Sequence, residues 1–252
     1  TFIMEFITMS RRIFVIATAI IGIAVSSSFA LTNNASADDL YAGFPITVKG
    51  YSGSKTNSVS YTGQIARHTL SDTLKKLAGL GVERASADPT LKAQMMSYFA
   101  GKDSGRSILS PKTKGPVVVS QTNVDDISKG KNLAGKIFKG AIPGMPNNLS
   151  GKELVEFWID KASMANKGVD MANGYNYPQL ISKFIMGAVF YNQVVDNYLD
   201  ENLSAEKKPN DKPYKEGAPY TGKEHSWDEA FGYFGAPAHS LMLSPQELYE
   251  IA

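Results

Sequence analysis

The sequence contains no cysteine. This excludes disulfides, thiolate metal ligands, cysteine nucleophiles and a lipid anchor on an N-terminal cysteine. It does not fix the redox compartment, because exported bacterial proteins also often lack cysteine. No basic run is long enough to form a nucleic-acid face, and the formal net charge over 252 residues is only +2. Scattered lysines on so balanced a chain are an ordinary solvated surface, and nucleic acid is not expected as a partner. Beyond the first 40 residues no apolar run approaches the roughly 20 residues that a spanning helix needs, so no mature transmembrane segment is expected. The string GxSxG is missing. GYSGS and GKDSG lack the order of glycines, lysine and hydroxyl residue that cradles phosphates. HExxH is missing too, which removes the zinc-peptidase reading with two histidines on one helical turn.

With 43% hydrophobic residues, the chain has enough apolar material for a sizeable core in one or two domains. Near the start, Arg11 and Arg12 precede an almost wholly apolar stretch from Ile13 to Val25, and small residues follow. This is the three-part layout of a secretory signal peptide, with cleavage after Ala30 or, preferably, after Ala37. Residues 1–37 are therefore read as upstream sequence and signal peptide. A natural start at Met9 is expected, and residues 38–252 form the mature helical domain. Removing residues 1–37 takes away Arg11, Arg12 and Glu5, leaving 24 basic and 23 acidic residues. The expected location is the periplasm or the outer surface of a bacterium. At the other end, SPQELYEIA opens a helix, with Ser244 and Glu247 as a capping box and Pro245 in the first turn. The chain stops about two turns later, so truncation at the C-terminus is expected.

The mature part reads as mostly α. Residues 38–62 form an extended arm with one short strand, lying across the helices. Ile65, Leu70, Leu74 and Leu77 set a helix over 64–79. Asp88 followed by Pro89 opens a second helix, with Leu91, Met95, Met96 and Phe99 as its stripe. Residues 101–122 are a loop, and 124–139 predict a helix weakened by Gly130 and Gly135. Ser150 and Glu153 form a capping box for a helix over 151–166. A long helix runs from about Pro178 to Leu199, in which Gly187 would admit another backbone. A polar linker with three prolines, 201–222, leads to KEHSWDEAFGYFG. The expected architecture is a helical bundle with long loops.

That last segment holds the candidate chemistry. On a helix, His225 lies one turn from both Asp228 and Glu229. An imidazole and carboxylates so placed could share a first-row metal ion such as iron or zinc. They could equally form a charge-assisted hydrogen bond with no metal. Completing a metal shell would take donors from elsewhere, such as Glu224, His239, His68 or sequence beyond 252. Trp227, Phe231, Tyr233 and Phe234 read as packing residues, Gly235 as the residue that ends the helix, and Pro237 as a block to its continuation. His68 reads as a boundary histidine of its helix. Ser226 and Ser240 neighbour histidines, but adjacency along the chain does not build a triad, and no carboxylate pair stands out for glycoside chemistry.

SVSYT followed by GQIAR (58–67), and more sharply HSWDEAFGYFGAP (225–237), resemble a bacterial exported family known as domain of unknown function 4856 (DUF4856). The resemblance runs from about Tyr41 onward. Family members continue past the last residue here, which implies the same truncation. The group is distantly similar to the imelysin-like proteins, exported helical proteins named for an insulin-cleaving outer-membrane protein and linked to iron uptake. Their GxHxxE motif is matched by His225, with Asp228 at the glutamate place and Lys223 at the glycine place. Gly222 stands one residue early, and Glu229 fits only with a one-residue slip. The resemblance implies two packed helical bundles, with this chain carrying the first and part of the second. Three expectations are left standing: metal handling through His225, Asp228 and Glu229; a metal-free helical interaction or scaffold protein with a cell-envelope partner; and, more weakly, a peptidase.

Overall fold

A computed structural model describes residues 41–110, 121–235 and 243–251. The fold is mostly helical and contains α1 (Thr62–Ala78), α2 (Pro89–Phe99), the single turn α3 (Val124–Ile127), α4 (Gly151–Met164), α5 (Tyr177–Ile185), α6 (Gly222–Phe234) and α7 (Pro245–Ile251). No described helix is long and apolar enough to cross a membrane. The segment read as a signal peptide, 1–37, lies outside the described residues, as do Pro237, His239 and Ser240.

The central element is α1. Its turns stack Ala66, Leu70, Leu74 and Leu77 on one face, all essentially inaccessible to water. The stripe packs against α2, α3, α5 and α6. The core is completed by Met95 and Phe99 of α2, Val155 and Ile159 of α4, and Ile181 and Ile185 of α5. Each such side chain contributes about 1.5–3 kcal/mol when buried.

Helix starts follow the local chemistry. The Asp88 carboxylate accepts from the Thr90 and Leu91 amides, with Pro89 in the first turn. Ser150 and Glu153 satisfy one another's backbone amides, and Ser244 and Glu247 do the same at α7. Asn176 caps α5 by accepting from the Gln179 amide at 3.2 Å.

Four segments differ from the sequence reading. The helix expected over 124–139 stops after one turn. Ser128 is extended, Gly130 takes φ +66°, and the rest is an irregular loop in which Leu133 and Ile137 still reach the core. The arm from Tyr41 to Tyr61 contains no strand. The described strands are instead a short antiparallel hairpin, β1 (Val169–Asp170) with β2 (Tyr175–Asn176), between α4 and α5. The long helix starts at Tyr177, but from Met186 to Leu199 its hydrogen bonds widen to the i→i+5 pattern of a π-helix. A Cβ at Gly187 would meet open space, so among the described residues no neighbouring backbone approaches there.

Candidate functional site

Helix α6 presents His225, Asp228 and Glu229 in a well-fixed frame. Thr221 caps its start: its hydroxyl accepts from the Glu224 amide at 3.2 Å, and Glu224 Oε2 accepts from the Thr221 amide at 2.7 Å. Gly235 ends it at φ +79°, a left-handed conformation that glycine adopts without strain. One face of α6 lies tightly on α1. A Cβ at Gly232 would stand 2.6 Å from Tyr61 Cβ and 2.8 Å from Gln64 Cβ, so only glycine permits this approach. Beside it, His68 Nε2 lies 3.0 Å from the Gly232 carbonyl oxygen, and the His68 ring packs on Phe190. Burial pulls the His68 imidazole below its ordinary pKa, against the pull of the Gly232 carbonyl and Asp72. His68 is thus a packing histidine, turned away from any shared donor set.

The side chains of the HxxDE string diverge. His225 turns into the 201–222 segment, where its ring stacks on Tyr220 with centroids 4.6 Å apart and leans on Tyr214 at 4.8 Å. Tyr214 donates its amide to the Tyr220 carbonyl at 2.9 Å, and Pro213 bridges to Thr221, so the linker folds back into an aromatic clasp. Asp228 points to the N-terminal arm and accepts from the Ser60 amide at 3.0 Å. Glu229 points to α1 and accepts from Gln64 Nε2 at 2.9 Å, and its charge also acts on the Tyr198 hydroxyl. Glu224, the further donor considered from sequence, is spent on Thr221 and on the Thr47 hydroxyl at 2.7 Å. His225 and Glu229 remain the nearest pair, with Nε2 and Oε2 3.9 Å apart. At that length they are an ion pair only when the imidazole is protonated.

The electrostatics follow from burial. His225 is held below the ordinary histidine range by desolvation. Glu229 opposes this shift, and Lys208 and Lys215 add to it. Asp228 is pushed up to about 7, first by burial and then by Glu224 and Glu229; the Ser60 amide offsets part of the shift. Tyr198 is raised well above the ordinary phenol range, chiefly by burial and then by the negative Glu229. Behind Glu229 stands Arg67, which donates to the Asn132 and Gly63 carbonyls and lies over the Tyr233 ring. Among the described residues, two buried polar atoms here find no hydrogen-bond partner, His225 Nδ1 and the Tyr233 hydroxyl.

Among the described residues no group of three His, Asp or Glu side chains converges on a point where a metal ion could sit. Nor, among the described residues, does Ser226 stand with His225 as a nucleophile beside its base. Ser226, beside His225 in sequence, donates its hydroxyl to the Tyr198 carbonyl at 3.1 Å and is buried. The sequence reading missed Tyr214, Tyr220, Ser60 and Gln64 as partners of the string. Two tyrosines inside the proline-rich linker, each directly after a proline, were the available signal for the clasp. Ser60 carried none, because it contributes only a backbone amide.

A family model described as "Domain of unknown function (DUF4856)" matches residues 50–245, most of the chain. No curated protein and no solved structure matches it.

Proposed function

The chain belongs to the DUF4856 family, and from that premise we propose that it is an exported, non-catalytic helical binding protein in which α6 ties the fold together. One observation carries this reading. His225, Asp228 and Glu229, one turn apart on a single helix, reach three different parts of the chain: the 214–220 clasp, the arm at Ser60 and α1 at Gln64. A site that holds a ligand points its polar groups at a common point. A tie distributes them. The signal-peptide layout of residues 1–37 supports export, and placement in the periplasm or on the outer surface is part of the same proposal. So is the division into a leader and a mature domain from residue 38.

A second reading, metal handling, is favoured by the buried, unpartnered Nδ1 of His225 and by the Glu229 carboxylate nearby. Iron or zinc would be the ion. The distant similarity to imelysin-like proteins belongs to this reading and rests on the spacing of His225 and Asp228.

Substitution at His225 separates the two. His225→Phe keeps a flat ring between Tyr214 and Tyr220 and removes the unpartnered nitrogen. It is expected to stay within about 1 kcal/mol of the parent in urea denaturation. His225→Ala empties the clasp and is expected to cost about 1–3 kcal/mol. Equal losses in the two variants would mean that the imidazole nitrogens, not the ring, hold this region.

A further inference from the structure

On another face of the fold a groove of about 1000 Å³ runs between α4 and the β1–β2 hairpin. This is the upper end of the size range of small-molecule sites, roughly 300–1,000 Å³. Leu154, Trp158 and Leu180 line it with Phe157, Tyr175 and Tyr177. Apolar side chains stay open to water around it: Met171 is 83% exposed, and Phe157 and Tyr175 are about half exposed. Methionines and aromatics in such a place give a large apolar contact area that adapts to its occupant.

The charges in the groove are unequal in what they leave free. Arg84 is paired with Asp88 at 3.0 Å. Asp170 is consumed by its own turn, accepting from the Ala172 and Asn173 amides and from the Asn173 side chain. Glu83 is exposed to solvent. Lys161 is half-buried and follows Phe157 by one turn, with its ammonium 5.5 Å from the Phe157 ring centroid. Among the described residues no carboxylate lies within ion-pair distance of Lys161. The groove therefore offers an aromatic trough with one half-buried cation that makes no ion pair among the described residues, although Asp170 lies near enough to feel its charge.

We propose that this groove binds a small amphipathic carboxylate, with an apolar chain laid along Phe157, Trp158 and Tyr177 and the carboxylate on Lys161. Burying an alkyl chain against these rings supplies affinity, and the half-shielded ammonium selects a ligand with a negative end. The inference rests on the binding reading above and names the ligand class for it.

The chain has two tryptophans, so Trp227→Phe on α6 leaves Trp158 as the sole reporter inside the groove. Dodecanoate, kept below its micelle concentration, is titrated against Trp158 fluorescence, beside dodecan-1-ol. The expected result is saturation at one dodecanoate per chain, with the alcohol weaker by about fivefold or more. In Lys161→Met the acid falls to the level of the alcohol, while the alcohol is unchanged. No saturable change, or equal affinity for acid and alcohol in the parent, overturns the proposal. The acid–alcohol comparison needs no groove variant, so a misfolded Lys161→Met would not blunt it. Failure here removes the ligand class alone. Failure of the binding reading would show instead as stoichiometric metal in the purified protein.

Discussion

Replacing Asp125 with alanine is expected to lower the unfolding free energy by about 3–5 kcal/mol, a large share of the stability of a domain this size. Arg106 and Asp125 form a buried ion pair with side chains 3% and 8% exposed. The guanidinium donates to both carboxylate oxygens, at 3.0 and 3.4 Å, and to the Ser97 and Gly101 carbonyls. The Gly130 amide also donates to Asp125 at 3.2 Å. Removing the carboxylate strands a guanidinium out of water and frees the loop that ends α3. Burial alone would raise the Asp125 pKa, but the hydrogen bonds from Arg106 and Gly130 outweigh it and hold the group below the ordinary carboxylate range. With the folded pKa lower than the unfolded one, the contribution of this pair is fully present above the ordinary range and is lost as the pH falls through the folded value. The double variant Arg106→Met, Asp125→Leu is expected to recover most of the loss, because no charge is left unpaired. Urea denaturation at pH 7 checks both. A loss under 1 kcal/mol in Asp125→Ala would mean that the guanidinium reaches solvent.

Asp228→Asn is expected to act in the opposite direction. The amide oxygen can still accept from the Ser60 amide, while the buried charge repelled by Glu224 and Glu229 disappears. The sign follows from the raised pKa of about 7 against an ordinary value of 3.8. Between those two values the folded state holds a proton that the unfolded state has released. Stability from this group therefore falls as the pH rises from about 4 to 7, and ionised Asp228 opposes folding above that. Solvent at the nearby surface screens part of the effect, so the asparagine variant is expected to exceed the parent by about 1–2 kcal/mol at pH 8. The two should converge near pH 4. His225 pulls the other way. Its lowered pKa makes the parent lose stability as the pH falls below the ordinary histidine value. Measuring the difference between variant and parent cancels that contribution. A difference independent of pH would contradict the assignment.

The helix starts were legible because capping is local chemistry: Asp88-Pro89, Ser150 with Glu153, and Ser244 with Glu247 each act within four residues. The apolar stripe of α1 was legible because a 3.6-residue period leaves one solution for a buried face. The segment 124–139 was not, since Leu133 and Ile137 serve the core from an irregular loop as well as they would from a helix. Its shape is set by distant partners, Arg67 donating to the Asn132 carbonyl and Asn132 to the Ala100 carbonyl. The hairpin at 169–176 is only two residues per strand, too short to leave a period. The chemistry of HxxDE was half legible. Spacing placed three polar groups within one turn, but where each points is decided by Ser60, Gln64, Tyr198 and the tyrosine clasp. All of these lie at least five residues away along the chain, and most lie much farther.

The most direct test of the central claim, that α6 is a tie and not a metal site, is the metal content of the purified protein. Elemental analysis would be followed by calorimetric titration with iron and with zinc, and His225→Ala would be run in parallel. The account predicts no stoichiometric iron or zinc and no saturable heat in either protein. One equivalent of metal per chain, lost in His225→Ala, would contradict it.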